Sequence, residues 1–125
     1  MKKVIETKAA PAPIGPYNQA ILAGNTLYVS GQIPINPENG EVISTSIEAQ
    51  THQVMKNLKA ILAAAGMNFE HVVKCSIFVK NMADFAKVND VYGTYFDLMA
   101  PARETVEVAE LPKSVDVEIS CIAVI

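Results

Sequence analysis

Residues 101–120 read PARETVEVAELPKSVDVEIS. Pro101 cannot continue a helix, so the chain leaves any preceding helix here. From Glu104 to Ala109, and again from Val115 to Val124, apolar and polar residues alternate with the period of a half-buried strand. ELPKS (residues 110–114) joins the two runs, which predicts an antiparallel pair. In the last run Val115, Val117, Ile119, Cys121 and Ala123 share one face. Asp116, Glu118, Ser120, Ile122 and Val124 share the other, which becomes apolar towards its end. A carboxylate therefore stands mid-strand at Glu118, and an arginine stands at the mouth of the run before it, at Arg103.

Upstream of this pair the period changes. Residues 83–98 carry Phe85, Val88, Tyr92, Tyr95 and Phe96 at helical spacing, and predict a helix. HVVKCSIFVK (residues 71–80) predicts a strand with Val73, Cys75, Ile77 and Val79 on one side. An earlier helix is expected to start with Thr45 and Glu48 as a capping box. It continues through Ile47, Val54, Leu58, Ile61 and Leu62, and stops at Gly66. YNQAILAGNTLYVSGQI predicts two strands around a Gly24–Asn25 turn, where a positive φ is cheap. AAPAPIGPY (residues 9–17) is a Pro/Gly loop, and Lys2 to Thr7 is a short first strand. The order β-β-β-α-β-α-β-β is an α+β pattern: a mixed sheet with two amphipathic helices packed on one face. Two helices cannot cover both faces. The apolar half of the uncovered face predicts association with further copies.

The 125 residues suit one domain spanning 1–125, and with half of them hydrophobic and 18% charged the chain can bury a core. A net charge of −3 is no electrostatic footprint for nucleic acid, and no run has the apolar length of a membrane helix. The N-terminal lysines lack the apolar segment of a secretory signal. Cys75 and Cys121 lie in strand-like runs and read as buried thiols of a cytoplasmic protein. His52 and His71 stand in no metal-ligand spacing, and neither a metal nor a cofactor is expected.

Several residues carry a chemical reading beside a structural one. Arg103 is a surface or ion-paired arginine, or a two-pronged fork for a substrate carboxylate. Glu118 is an ion-pair partner, or an acid/base that works on water. On an antiparallel pair the two would meet, as one site or as a salt bridge. Tyr17, after its rigid loop, packs in the core or aims its hydroxyl into a cleft. Gly31 is a bulge glycine, or a point where a ligand approaches the backbone. Asn89 caps or cross-links backbone in the second helix.

The segments IGPYNQA, VSGQIPINPENGEV, FAKVNDVYGTYF and PARETVEVAELPKSVDVEI resemble the Rid family of YjgF-type reactive intermediate deaminases, its RidA branch above all. The resemblance runs over essentially the whole chain, and the last segment is its most specific part. It implies a chorismate-mutase-like homotrimer with three sites in clefts between subunits. It also implies cofactor-free hydrolysis of 2-imino acids, such as 2-iminobutanoate and 2-iminopropanoate, to 2-oxo acids and ammonia. Arg103 would hold the substrate carboxylate and Glu118 would position water. Tyr17, Asn89 and the backbone of Gly31 and Thr105 would line the pocket. Four features depart from the family pattern: Glu104 after the arginine, Thr105, Ser120, and a short stretch over residues 97–100. The first and last bear on pocket size. The competing reading is a trimeric module that binds or senses small carboxylates without turnover.

Overall fold

The computed structural model describes residues 1–125, arranged around one six-stranded sheet. In chain order the elements are β1 (Lys2–Ile5), β2 (Ala20–Ala23), β3 (Thr26–Gln32), α1 (Ile47–Ala64), β4 (Val72–Val79), α2 (Phe85–Gly93), β5 (Ala102–Glu107) and β6 (Val117–Val124). The spatial order is β1-β2-β3-β6-β4-β5, and every neighbouring pair is antiparallel except β4–β5. A parallel pair needs a crossover, and α2 supplies it.

Both helices pack on the same face of the sheet. Leu27, Val29, Cys75, Ile77, Val79, Val117, Ile119 and Cys121 are buried there beneath Val54, Leu58, Ile61 and Leu62 of α1 and Val88 of α2. Fully burying each branched aliphatic side chain contributes about 1.5–3 kcal/mol, so this layer dominates folding. The Gly24–Asn25 turn forms as expected, with Gly24 at φ +61°, and Gly66 stops α1 at φ +73°.

The alternation expected in the final strand appears as strict buried/half-buried alternation along β6. Its partner differs from the expectation. β6 lies between β3 and β4, and β4 separates it from β5. Residues 108–116 do not make a tight hairpin. Leu111 and Val115 are buried against Ile33 and Ile35 on the helix-free face, beside Phe78, and Lys113 and Ser114 take positive φ in a 3₁₀ turn. Burying these apolar residues draws the connection across β4. It also covers one end of the face that the helices leave open. Elsewhere that face stays wet, with Tyr28 52% and Val106 40% exposed.

Three local expectations are also corrected. Ser46, not Thr45, caps α1: its Oγ accepts from the Ala49 N–H at 3.0 Å, because burial of Ile47 starts the helix one residue later. α2 ends at Gly93 instead of running to Leu98. Glycine is a poor helix former, Thr94 Oγ1 donates to Val91 O at 2.7 Å, and Tyr95 and Phe96 turn onto Phe69. Val73 is exposed while Val72 is buried, because the β4–β6 register shifts between Val72 and Lys74.

Candidate active site

Glu118 points from β6 to the helix-free face, opposite Phe78 of β4. The neighbouring strand β3 has a register irregularity between Val29 and Gln32, and Gly31 sits within it. A Cβ at Gly31 would stand 2.5 Å from Glu118 Oε2 and 2.7 Å from its Cδ. The bulge reading of Gly31 is thus realised, and the group that uses the missing side chain is the Glu118 carboxylate lying over it. Glu118 is half-buried, takes part in neither of the chain's two ion pairs, and burial alone pushes its pKa up. Tyr17 joins this carboxylate. Its N–H donates to Gly15 O at 2.8 Å and its hydroxyl accepts from the Ile14 N–H at 3.3 Å, which holds the ring at the end of the Pro/Gly loop. An open cleft of about 360 Å³ results, lined by Ile14, Tyr17, Gly31, Ile33, Pro112 and Glu118.

Arg103 lies elsewhere. It stands in register with Cys75 on the parallel neighbour β4, and Cys75 faces the helices. Its guanidinium carbon is 5.1 Å from the ring centroid of Tyr92 and 5.6 Å from that of Phe85, both on α2. No acid pairs with it. Glu104, the next residue, faces the other way, where it accepts from Ser76 Oγ and meets Lys74 Nζ at 3.0 Å. Those two partners hold its carboxyl below the usual range. Glu104 therefore does not crowd the arginine. Thr105 shares the Arg103 face, and its Oγ1 is buried without a partner. Asn89 is half-buried on the α2 stripe that carries Phe85 and Tyr92, at i+4 and i−3 from them.

Within one chain Arg103 and Glu118 therefore stand apart. Cys75 and Phe78 are three residues apart on β4 and face opposite sides, so their register partners Arg103 and Glu118 do too. The expectation that these two meet within one chain is wrong, both as a site and as a salt bridge, because β4 intervenes. Phe85 and Tyr92, which the sequence shows only as part of the apolar stripe of a helix, are the residues that meet the arginine. The readable signal was an aromatic pair at i, i+7 on the crossover that leads into the arginine's strand.

The other reactive groups are accounted for by structure. Cys75 and Cys121 face each other across β4 and β6, both buried, and burial pushes both thiols up. His52 Nδ1 sits 2.8 Å from the Tyr95 hydroxyl, and His71 Nδ1 accepts from the Asn68 N–H at 3.0 Å.

A family model described as Endoribonuclease L-PSP matches residues 7–125. A RutC family protein of Pyrococcus horikoshii is 54% identical over 123 residues, covering 98% of each chain. Reactive Intermediate Deaminase A, chloroplastic, of Arabidopsis thaliana is 47% identical over 122 residues, which cover 98% of this chain and 65% of that protein. Among solved structures, E. coli TdcF with bound serine is 42% identical and overlays with a TM-score of 0.93 across 98% of each chain. Sequence and architecture agree along the whole chain, which belongs to the Rid family of YjgF-type proteins, in its RidA branch, and has the chorismate-mutase-like fold of that family.

Proposed function

We propose that this chain is one subunit of a cytosolic homotrimer that hydrolyses 2-imino acids to 2-oxo acids and ammonia without a cofactor. 2-Iminobutanoate and 2-iminopropanoate are the substrates that fit the family. One observation carries the proposal: a single chain displays an unpaired guanidinium and an unpaired, half-buried carboxylate on opposite faces of its sheet. Either charge alone is an unfinished site. Packing the partly exposed helix-free face of one copy near the Arg103 edge of the next completes both. The relatives support this chemistry. One is named a reactive intermediate deaminase, and another was solved with serine, whose α-carboxylate is the group a guanidinium fork takes.

In this reading Arg103 of one subunit holds the substrate carboxylate through two parallel hydrogen bonds, and Asn89 and Thr105 border it. Glu118, Gly31 and Tyr17 of the adjacent subunit form the opposite wall. The protonated imine carbon is already electrophilic. Glu118 takes a proton from a water as its oxygen bonds to that carbon, giving a tetrahedral carbinolamine. It then returns the proton to nitrogen. The C–N bond breaks, ammonia leaves, and the hydroxyl becomes the carbonyl of the 2-oxo acid with loss of its proton. That last proton passes to Glu118 and on to ammonia, so the sum is protonated imine plus water to oxo acid plus ammonium. Holding one small acid and one water in place accounts for most of the acceleration.

Mixed trimers test the shared site directly. Arg103→Ala and Glu118→Gln, purified separately, should each fail to suppress semicarbazide trapping of 2-aminoacrylate produced by a serine dehydratase. Co-expressed at equal levels, they should recover about a quarter of the wild-type rate, because about one interface in four joins an intact Arg103 to an intact Glu118. No recovery in verified mixed trimers would refute a site between subunits. Two fully active single variants would refute the roles given to Arg103 and Glu118, and a wild type that suppresses no trapping would refute the deaminase and leave a carboxylate-binding module.

A further inference from the structure

We infer that Phe85 and Tyr92 are positioning residues that hold the Arg103 guanidinium in place without neutralising it. The inference rests on reading Arg103 as the carboxylate fork. An arginine aimed at a ligand is usually oriented by an acid, which occupies some of its donors and cancels part of its charge. Here the neighbouring acid is engaged on the far face by Ser76 and Lys74. The contacts that replace it are two ring faces, at 5.1 and 5.6 Å. A ring face attracts the cation and leaves its in-plane N–H groups free.

The rings are themselves fixed. Tyr92 is buried, and Phe96 backs its ring at a centroid distance of 4.8 Å. Phe85 opens α2, and the turn before it is tied down twice. The Asn81 side chain accepts from the Ala83 N–H at 2.9 Å, and Glu107 Oε1 accepts from the Met82 N–H at 2.7 Å. Glu107 belongs to β5, the strand that carries Arg103, so clamp and arginine are bound to one frame. The Tyr92 hydroxyl is buried beside the Cys75 thiol and makes no hydrogen bond of good geometry. Tyr92 thus serves Arg103 through its ring, not its hydroxyl.

A guanidinium already held costs less to immobilise when the ligand arrives. Losing one ring should weaken carboxylate binding roughly 2- to 10-fold, the immobilisation cost of one long side chain. The full-length protein is titrated calorimetrically with 2-oxobutanoate, and ¹⁵N relaxation of the Arg103 Nε–H is measured in parallel. Phe85→Leu keeps an apolar side chain at a position 38% exposed, which spares the fold. It should lower the Nε–H order parameter relative to wild type and raise Kd as stated. An Arg103 equally ordered in Phe85→Leu and wild type overturns the inference, as does a looser Arg103 with unchanged affinity. If wild type does not bind 2-oxobutanoate, the fork reading of Arg103 falls. The clamp is then judged by the Nε–H order alone.

Discussion

Alanine at Gly31 would strike the proposed water-positioning group without touching its chemistry. The added Cβ would lie 2.5 Å from Glu118 Oε2, 2.7 Å from Cδ and 3.0 Å from Cγ, so the whole outer part of the side chain has to swing away. Restoring ordinary van der Waals contact moves the carboxylate by about 1 Å, and a misplacement of that size costs on the order of 10²-fold in rate. The fold should barely notice. Gly31 is not among the glycines at positive φ, so alanine can take its backbone conformation, and the group that yields is the end of a flexible, half-buried side chain. Stability should change by less than about 1 kcal/mol. The assay is suppression of imine trapping, run at several enzyme concentrations on protein checked for assembly and melting temperature. A double-mutant cycle sharpens it. If Gly31→Ala acts through Glu118, it should cost little more in a Glu118→Gln background. Full turnover in Gly31→Ala would refute the placement of the water by Glu118. An equal, independent loss in the Glu118→Gln background would show that the alanine blocks the ligand itself.

Glu118→Gln should keep most of the affinity for 2-oxobutanoate and lose about 10²–10⁴ in turnover, since the carboxylate acts mainly in the transition state. A base works ionised, so kcat/KM should rise with pH through the Glu118 pKa. Burial pushes that pKa up, which puts the acid limb above the ordinary glutamate range, and a limb at or below that range would mean that a cation outweighs burial in the assembled site. The sign for folding is opposite. A carboxyl with a raised folded pKa contributes stability that is complete at low pH and fades as pH rises through that pKa, so Glu118→Gln should melt no lower than wild type at neutral pH. Replacing both Cys75 and Cys121 by alanine should leave turnover per folded assembly largely intact, because both thiols are buried with raised pKa values. Loss of activity in a folded double variant would contradict this.

The element order and the two faces of β6 were legible in the residues alone, because periods of two and of 3.6 are local consequences of burial on one side. Arg103 and Glu118 stand out by position: a cation at a strand entrance and a carboxylate in mid-strand. Local pattern carries no information about which strand lies beside which. ELPKS looked like a hairpin turn, and only the burial of Leu111 and Val115 against Ile33 and Ile35 led the chain past β4 and placed the two charges on opposite faces. The close approach of Glu118 to Gly31, and of Phe85 and Tyr92 to Arg103, likewise joins residues far apart in the chain. Sequence determined which groups are present and, away from the register shift at Val73 and the end of α2 at Gly93, on which face of its own strand or helix each one sits. Tertiary packing decided which of them meet, because long-range pairing is set by the apolar surface that all the elements bury together.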